Sequence, residues 1–389
     1  MSKKNNSDSR SSSKSFLQND GVKSLLSSLI SILAGLAVGL VIMIVLACIS
    51  PDIKASHVLK GLRFLVAGPF TGTHAGTNFG DMVFYATPLI LCGLSVAIAF
   101  KTGLFNIGAP GQFLMGTLVS LSIALNINNS DKPVAGFFVW LIAVLLGMVA
   151  GALWGCIPGF FKAVFGVNEV IVCIMTNWIA ANIASWVFST QKHLHAKGKG
   201  GYLIKTGETG NMTPDLGFSK LFKGSYVDLG IIIAIIAAVV IYVILNKTTF
   251  GYELKACGYN KDASKYAGMN EKRNIILSMA IAGALAGLGG TLYYLNPGIE
   301  FNFNAAYMKL PDYGFNGIPA ALLASSNPIG TIFSALFIRY LAQGGDHLVS
   351  AGYNRYVADI IIALIIYFAG FANLFRGILS KKKSAKEGK

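Results

Sequence analysis

The chain has 389 residues, of which 54% are hydrophobic and only 13% are charged, and its mean hydropathy is +0.60. These values exclude an ordinary soluble protein and predict one that crosses the membrane several times. The net charge of +15 does not call for nucleic acid as a partner, because the basic residues cluster at the termini and in loops, as the positive-inside rule expects.

The N-terminal segment, residues 1–24, is rich in Ser, Asn and Lys, which predicts a disordered tail. The apolar run from residue 25 is too long for the hydrophobic part of a signal peptide and lacks a small-residue cleavage site, so it is predicted to be a first membrane span. We expect a transmembrane domain over residues 25–377 and a basic tail over residues 378–389.

A Gly-rich segment, Gly103 to Gly116, follows the second apolar run and contains Pro110, Asn106 and Gln112. Glycine and proline break helices, and unwound backbone at membrane depth is tolerated only where protein or a watery cavity surrounds it. We therefore predict that this segment lies inside the helix bundle. A plain loop before the next span is the alternative.

Small residues recur at helical spacing in two later runs. Gly147, Gly151 and Gly155 are four residues apart in one of them, and Gly283, Gly287, Gly289 and Gly290 mark the other. Because small residues at this spacing let helices approach closely in lipid, both runs are predicted to be packing faces.

Polar side chains occur within the apolar stretch from Val167 to Phe188, namely Glu169, Asn177, Trp178 and Asn182. An ionisable residue inside the membrane is a functional hypothesis, so Glu169 could be a proton site. A carboxylate at a helix N-terminus, favoured by the helix dipole, explains the same residue.

Metal binding is not predicted. His193 and His195 lie in a polar connection, but two histidines do not make the three or four ligands of a metal site. The five cysteines are scattered and no pair has metal or redox spacing, so a disulfide framework is not expected either.

The polar segment over residues 247–273 has the pattern of a folded segment. Asn260 and Gly268 predict a capped short helix between them, and Gly258 predicts the end of an earlier one. Such helices are too small to build a core, so they suggest a docking surface for another protein, with a solvated loop as the alternative. The candidate docking residues are Gly251, Leu254, Gly258, Asn260, Ala263, Tyr266, Ala267 and Gly268.

A second Gly- and Pro-interrupted segment, Asp312 to Gly330, is similar to the first. Two such segments in corresponding places indicate a transport pathway. Basic termini predict that both ends are cytoplasmic. The fold predicted is an all-α, polytopic bundle of about ten spans, in two inverted five-span repeats with broken helices, and the polar segment 247–273 is then cytoplasmic.

Four motifs together resemble the permeases of ATP-driven importers for ribose, nucleosides and branched-chain amino acids. They are Lys101 to Gly116, Val167 to Ala180, Phe250 to Met269 and Gly314 to Gly330. The likeness is greatest to the larger permease subunit of the nucleoside-importing branch, although Pro110 stands where that pattern has an acidic residue.

The resemblance implies a bacterial plasma-membrane protein working with three partners. These are a second homologous permease subunit, forming a heterodimer, an external substrate-binding lipoprotein, and a cytoplasmic ATPase with two nucleotide-binding cassettes. ATP and Mg²⁺ would be bound by that ATPase, since this chain contains no G-x-x-x-x-G-K-[ST] phosphate loop. The chain itself is thus expected to be a transport subunit without a cofactor and not an enzyme.

The function predicted is the translocation of nucleosides. A nucleoside needs stacking faces and amide partners, and the candidate pathway residues are Asn106, Gln112, Asn177, Trp178, Asn182, Phe315 and Asn316. Helix–helix hydrogen bonds and packing are the alternative roles for each of these. Ribose or another simple sugar as the substrate, and proton-coupled transport through Glu169, remain the alternative functions.

Overall fold

A computed structural model describes residues 20–49, 55–71, 74–127, 129, 131–191, 203–204, 210–302 and 309–370. Most of the predicted N-terminal tail, the predicted C-terminal tail, His193 and His195 lie outside these residues. Two compact units can be distinguished, residues 1–71 with 341–389, and residues 72–340.

The described chain is almost entirely helical. In chain order the helices are α1 (Asp20–Ile49), α2 (Ala55–Ala67), α3 (Ala75–Lys101), α4 (Ala109–Asn126), α5 (Pro133–Phe165), α6 (Glu169–Thr190), α7 (Phe218–Leu221), α8 (Gly230–Lys247), α9 (Thr249–Tyr259), α10 (Lys261–Tyr266), α11 (Glu271–Tyr294), α12 (Asp312–Leu323), α13 (Pro328–Asp346) and α14 (Arg355–Gly370). Short 3-10 turns cover Gly68–Phe70 and His347–Ala351, and two-residue strands, β1 (Leu203–Ile204) and β2 (Phe301–Asn302), pair antiparallel.

The smaller unit is organised around the packing of α14 on α1. A methyl group at Gly39 of α1 would lie 2.9 Å from Cγ1 of Ile361 of α14, so the two helices approach closely there. The hydroxyl of Tyr353 donates to the carbonyl oxygen of Met43, at 3.3 Å.

The larger unit is built around the contact of α5 with α11, which follows the glycines of both helices. A methyl group at Gly287 would lie 2.9 Å from Cα of Gly151, and one at Gly155 would lie 3.0 Å from Cα of Gly283. A larger residue in any of these places would push the two backbones apart. The predicted glycines are therefore at close helix contacts. Gly283 and Gly287 meet the glycines of α5, whereas Gly289 and Gly290 approach α3 and α4.

Five described helices are long and apolar enough to cross a membrane: α3, α5, α6, α8 and α11. Helices α12 and α13 form a sixth candidate if they are counted as one bent span. The chain is thus an all-helical protein with five to six candidate spans in its described part, and the ten spans predicted from sequence are not confirmed. The first predicted span lies in α1, whose apolar part Leu33–Ile49 is shorter than these helices, and the last extends past the end of α14 at Gly370. Helix α4 has 18 residues, as α8 does, but carries several polar side chains.

The first predicted broken segment is an interruption between α3 and α4. Helix α3 ends at Lys101 and α4 begins at Ala109, so residues 102–108 are unwound. Pro110 lies in the first turn of α4, where the missing N–H costs nothing. Most of this interruption is buried inside the protein, as predicted, and only Gly103 is exposed within it.

The second broken segment is a sharp corner between α12 and α13, which are bent by 118°. Ser325 and Ser326 at the corner have φ angles of 50° and 54°. The backbone N–H of Ser326 donates to the carbonyl oxygen of Ala321, at 2.8 Å, which closes α12. Asn327 then caps α13 by accepting from the N–H groups of Ile329 and Gly330.

The predicted capped short helices are present as α9 and α10. Thr248 caps α9, and the side chain of Asn260 caps α10 by accepting from the N–H of Ala263, at 3.0 Å. Gly268, with φ of 81°, ends the turn after α10 as predicted. The prediction that Gly258 ends the first helix is wrong, because α9 continues through it to Tyr259.

Candidate functional site

The outer face of α9 and α10 presents aromatic side chains. Tyr252, Tyr259 and Tyr266 are 65%, 91% and 94% exposed, and Ala263 and Ala267 are exposed on the same short helix as Tyr266. Tyrosine is enriched at protein interfaces because it offers a large contact area with a polar end. Tyr252 and Tyr259 were not predicted from the sequence, although aromatic residues in an otherwise polar segment were a usable signal.

The inner face of α9 fastens it to the membrane helices. Leu254 and Cys257 are fully buried, and a methyl group at Gly251 would meet the backbone of α8. Gly258 faces Gly103 in the interruption between α3 and α4, and a methyl group on Gly103 would lie 3.1 Å from Cα of Gly258. Three of the predicted docking residues, Gly251, Leu254 and Gly258, therefore contact the protein's own helices. The other five are exposed on α10 and at its ends: Asn260, Ala263, Tyr266, Ala267 and Gly268.

A polar contact joins α9 to α11. Oε2 of Glu253 accepts from Nη2 of Arg273, at 3.0 Å, and from Nδ2 of Asn274, at 3.1 Å. Asn274 is fully buried, whereas Arg273 is exposed. Because one carboxylate is held by two groups of α11, α9 and the start of α11 are expected to move as one piece.

A buried amide network holds the interruption between α3 and α4. Nδ2 of Asn106 donates to Oγ of Ser95, at 2.9 Å, and to Oε1 of Gln112, at 2.8 Å. Oδ1 of Asn106 accepts from Nε2 of Gln112 and from the N–H of Gly108, both at 3.1 Å. The network therefore supplies partners for unwound backbone that could not otherwise be buried.

Asn177 of α6 completes this network. Its Oδ1 accepts from the N–H of Gly111, at 2.9 Å, and its Nδ2 donates to the carbonyl oxygen of Ile107, at 3.0 Å. A methyl group at Gly111 would lie 2.7 Å from that Oδ1, so glycine is needed for the approach. Three predicted pathway residues, Asn106, Gln112 and Asn177, are thus brought together, with hydrogen-bond partners inside the protein.

The other four predicted pathway residues are not part of this network. Trp178 is 42% exposed on α6, and Nδ2 of the exposed Asn182 donates to the carbonyl oxygen of Trp178 in the same helix. Phe315, which is 38% exposed, and Asn316 lie on the exposed side of α12.

Glu169 is the first residue of α6, after the capping residue Asn168. Its carboxylate forms an ion pair with Lys162 near the end of α5, with Nζ and Oε2 2.8 Å apart. Both side chains are partly exposed. Helix-end placement and a charge partner account for this carboxylate without a proton relay.

Metal ligation has no candidate among the residues that the structure describes. No three His, Cys, Asp or Glu side chains in those ranges are grouped closely enough to hold an ion.

Comparison with known proteins gives a consistent result. Residues 78–370 match a family described as branched-chain amino acid transport system / permease component. The chain is 37% identical over 316 residues to the nucleoside ABC transporter permease protein NupB of Lactococcus lactis, covering 79% of this chain and 83% of the relative. It is also 37% identical over 305 residues to the guanosine ABC transporter permease protein NupP of Bacillus subtilis, covering 78% and 84%.

More distant relatives extend the comparison. The glucose ABC transporter permease protein TsgB13 of Haloferax volcanii is 32% identical over 319 residues, covering 77% of this chain and 78% of the relative. A second permease protein of L. lactis, NupC, and one of B. subtilis, NupQ, are each 26% identical to it over 66% of this chain. No solved structure matches the chain.

Proposed function

Since this chain belongs to the family of permease components of branched-chain amino acid transport systems, we propose that it is a permease subunit of an ATP-driven nucleoside importer. The observation that carries the proposal is 37% identity, over about four fifths of the chain, to permeases named for nucleoside and guanosine transport. A permease component is a transport subunit and not an enzyme, so the energy would come from a separate ATPase that binds ATP and Mg²⁺.

The proposed assembly contains a second, homologous permease. The similarity of this chain to both NupB and NupC, and to both NupP and NupQ, supports a pair of related permeases. Because identity is higher to the first member of each pair, this chain would be the counterpart of NupB and NupP in a heterodimer. An external binding lipoprotein would deliver the substrate, and the cytoplasmic ATPase would contact α9 and α10.

We propose that coupling runs from α9 to the interruption between α3 and α4. Closure of the ATPase on ATP would push the exposed tyrosines of α9 and α10. The contact of Gly258 with Gly103 would pass this movement to the unwound residues 102–108, which the network of Asn106, Gln112 and Asn177 keeps in one shape. Rigid-body movement between two packed states would then open the pathway in turn to the outside and to the inside of the cell.

The predicted topology stays part of this proposal. Ten crossings in two inverted five-span halves, with both termini in the cytoplasm of a bacterial cell, would bring the docking helices α9 and α10 to the ATPase. The exposed residues Trp178, Asn182, Phe315 and Asn316 would face the pathway or the second permease.

Uptake by whole cells tests the substrate class. Cells with and without this gene are given labelled guanosine or uridine, in the presence of excess unlabelled nucleoside, ribose or glucose. We expect uptake that depends on the gene, is blocked by nucleosides and is indifferent to both sugars. Uptake that is unchanged by deletion of the gene, or that is competed away by a sugar, would move the substrate to another class.

A further inference from the structure

A group of aromatic rings lies in the larger unit, separate from the amide network and from α9 and α10. The rings of Phe84 and Tyr293 are stacked with centroids 5.6 Å apart, and those of Tyr293 and Tyr313 are 4.8 Å apart. Further contacts make the group continuous. We give the name aromatic cluster to six of these rings: Phe84, Tyr85, Phe113, Tyr226, Tyr293 and Tyr313. Tyr294 is in contact with the cluster through Tyr293 and Phe113.

Exposure divides the aromatic cluster into two layers. Phe84 and Phe113 are 1% and 0% exposed. All four tyrosines are partly exposed, and Tyr226 reaches 37%. The phenylalanines therefore form a packed base, and the tyrosines form a surface that combines flat rings with hydroxyl groups.

Arg339 of α13 lies at this surface. Its Cζ is 4.9 Å from the ring centroid of Tyr85, within the range of a cation–π contact. Its Nε is buried without a hydrogen-bond partner, and in the described ranges no carboxylate forms an ion pair with it. A cation within a membrane domain is costly, so an arginine without an ion pair among the described residues is a candidate functional group.

The aromatic cluster is far from the docking helices. Thr102 and Ser278, whose hydroxyls are 2.7 Å apart, lie at the depth where Gly258 of α9 contacts the end of α3. Tyr85 precedes Thr102 along α3, and Tyr293 follows Ser278 along α11, so a rise of 1.5 Å per residue separates the two tyrosines from that level by about 22 to 26 Å. This distance is close to the thickness of the hydrocarbon core, about 30 Å. The cluster consequently lies towards the membrane face opposite α9 and α10.

We propose that the aromatic cluster and Arg339 bind the base of guanosine, or of another purine nucleoside with an oxygen at position 6, as it enters the permease. The inference rests on the proposed function and names the substrate class and the site. The base would stack on the tyrosine layer, and the guanidinium would donate to the two neighbouring acceptors of the purine, O6 and N7.

The donor pattern favours a base with adjacent O6 and N7 acceptors, such as guanine, over the other candidates. A guanidinium is a planar fork of donors, which matches two adjacent acceptors on guanine, whereas a pyrimidine lacks an N7. A free sugar has neither a flat aromatic face nor that acceptor pair. Every base has a π-face and can stack on the tyrosines. Selectivity for guanosine over pyrimidines, and over adenosine with its amino donor at position 6, therefore has to come from Arg339.

Competition with an altered nucleoside tests the proposal in the assembled transporter. Cells that express the complete system take up labelled guanosine against unlabelled guanosine or 7-deazaguanosine, which keeps the ring and O6 but lacks the N7 acceptor. In the wild type we expect 7-deazaguanosine to compete about tenfold more weakly, since a bidentate pair is worth about 1–3 kcal/mol of discrimination. Equal competition in the wild type would overturn the proposal without any variant.

Two substitutions extend the test. Arg339→Met keeps a long side chain and removes every donor, so the two competitors should become equal to within about twofold. Tyr85→Leu removes a stacking face and should weaken guanosine and 7-deazaguanosine alike, by about tenfold. Phe138→Leu is the matched control, because Phe138 is 57% exposed on α5 and outside the cluster. Immunoblots of membranes check that each variant is present.

The outcomes separate this inference from the proposed function. If the wild type takes up no nucleoside, the proposed function fails. If the wild type takes up guanosine and Arg339→Met still discriminates against 7-deazaguanosine, the site is wrong while the nucleoside importer stands.

Discussion

Gly258 is a residue at which α9 contacts the backbone of the membrane helices. A side chain there would meet the carbonyl oxygen of Lys101, and its Cβ would lie 2.9 Å from the amide nitrogen of Gly103. Because these neighbours are backbone atoms, α9 would have to move away. We expect Gly258→Val to reduce nucleoside uptake at least tenfold while the protein still inserts into the membrane.

The matched control for this variant is Gly224→Asn. Gly224 has φ of 77°, and a methyl group added there would have no neighbour within 4 Å; Asn tolerates this backbone conformation better than other residues. Uptake by Gly224→Asn should stay within about twofold of the wild type. ATP hydrolysis by the isolated complex completes the measurement, since uncoupling predicts hydrolysis that no longer responds to the substrate. Wild-type uptake by Gly258→Val would contradict the coupling role.

Asp228 makes stability depend on pH. It precedes α8, and its carboxylate accepts from Nδ2 of Asn296, at 2.7 Å, and from the N–H of Gly230, at 2.8 Å. Burial raises the pKa of Asp228 to about 6, although these hydrogen bonds oppose the increase. The folded protein therefore binds the proton more tightly than the unfolded chain does, whose Asp pKa is about 3.9.

The sign of the effect follows from these two pKa values. Protonated Asp228 contributes fully to the free energy of unfolding below pH ~4. This contribution, about 3 kcal/mol, is lost as the pH rises to about 6, and above that pH the effect of Asp228 on stability no longer changes. Thermal unfolding of the purified protein in detergent should show it. The difference in Tm between the wild type and Asp228→Asn should change between pH 4 and 6 and be flat from pH 6.5 to 8. A flat difference throughout would contradict the raised pKa.

At the scale of elements, the amide network decides whether the interruption between α3 and α4 is stable. Asn106→Ala would leave Ser95, Gln112 and the N–H of Gly108 without their shared partner. A buried polar group without a partner costs about 1–3 kcal/mol. We expect a lower Tm and the loss of uptake. Asn126→Ala is the control, because the exposed side chain of Asn126 donates to the carbonyl oxygen of Ser122 in its own helix. The Tm of this variant should change little. Equal effects of both variants would argue against the network.

The predictable elements are those whose determinants are local. Asn260 caps α10 and Gly268 ends it, because capping depends on neighbouring backbone groups. The prediction for Gly258 was wrong, since a glycine required by a neighbouring helix looks the same in sequence as one required by a turn. The interruption between α3 and α4 was predicted from Gly and Pro content, but which groups satisfy it could not be, because Asn177 comes from another helix.

At the scale of the whole molecule, the aromatic cluster could not be predicted from sequence. Tyr85, Tyr226, Tyr293 and Tyr313 are distributed over more than 200 residues, and each alone is an ordinary aromatic in or near an apolar run. The glycine faces of α5 and α11 were predicted, whereas the fact that they face each other required the structure. Patterns along the sequence therefore do not show which distant residues become neighbours in the fold. The proposed base-binding site is formed by such residues.

The orientation of the molecule can be tested across α8. Leu221 of α7, which is 70% exposed, and Tyr266 of α10, which is 94% exposed, lie on either side of this helix. Eighteen residues of α8 span about 27 Å, enough to cross the hydrocarbon core. The two residues should thus lie on opposite faces, with Tyr266 in the cytoplasm, although the connection over residues 191–226 carries six lysines against two acids and the positive-inside rule would favour the reverse.

Labelling from outside the cell resolves this conflict. In a background in which the five cysteines are replaced by serine, Leu221→Cys and Tyr266→Cys are treated with a membrane-impermeant maleimide. We expect Leu221→Cys to react in intact cells and Tyr266→Cys to react only in inside-out vesicles, with the cysteine-free parent as the control for background. The lysines would then be tolerated because charge bias weakens in longer connections. Reaction of Tyr266→Cys in intact cells would place α9 and α10 on the outer face of the membrane, where no cytoplasmic ATPase could bind them, and would contradict the proposed coupling.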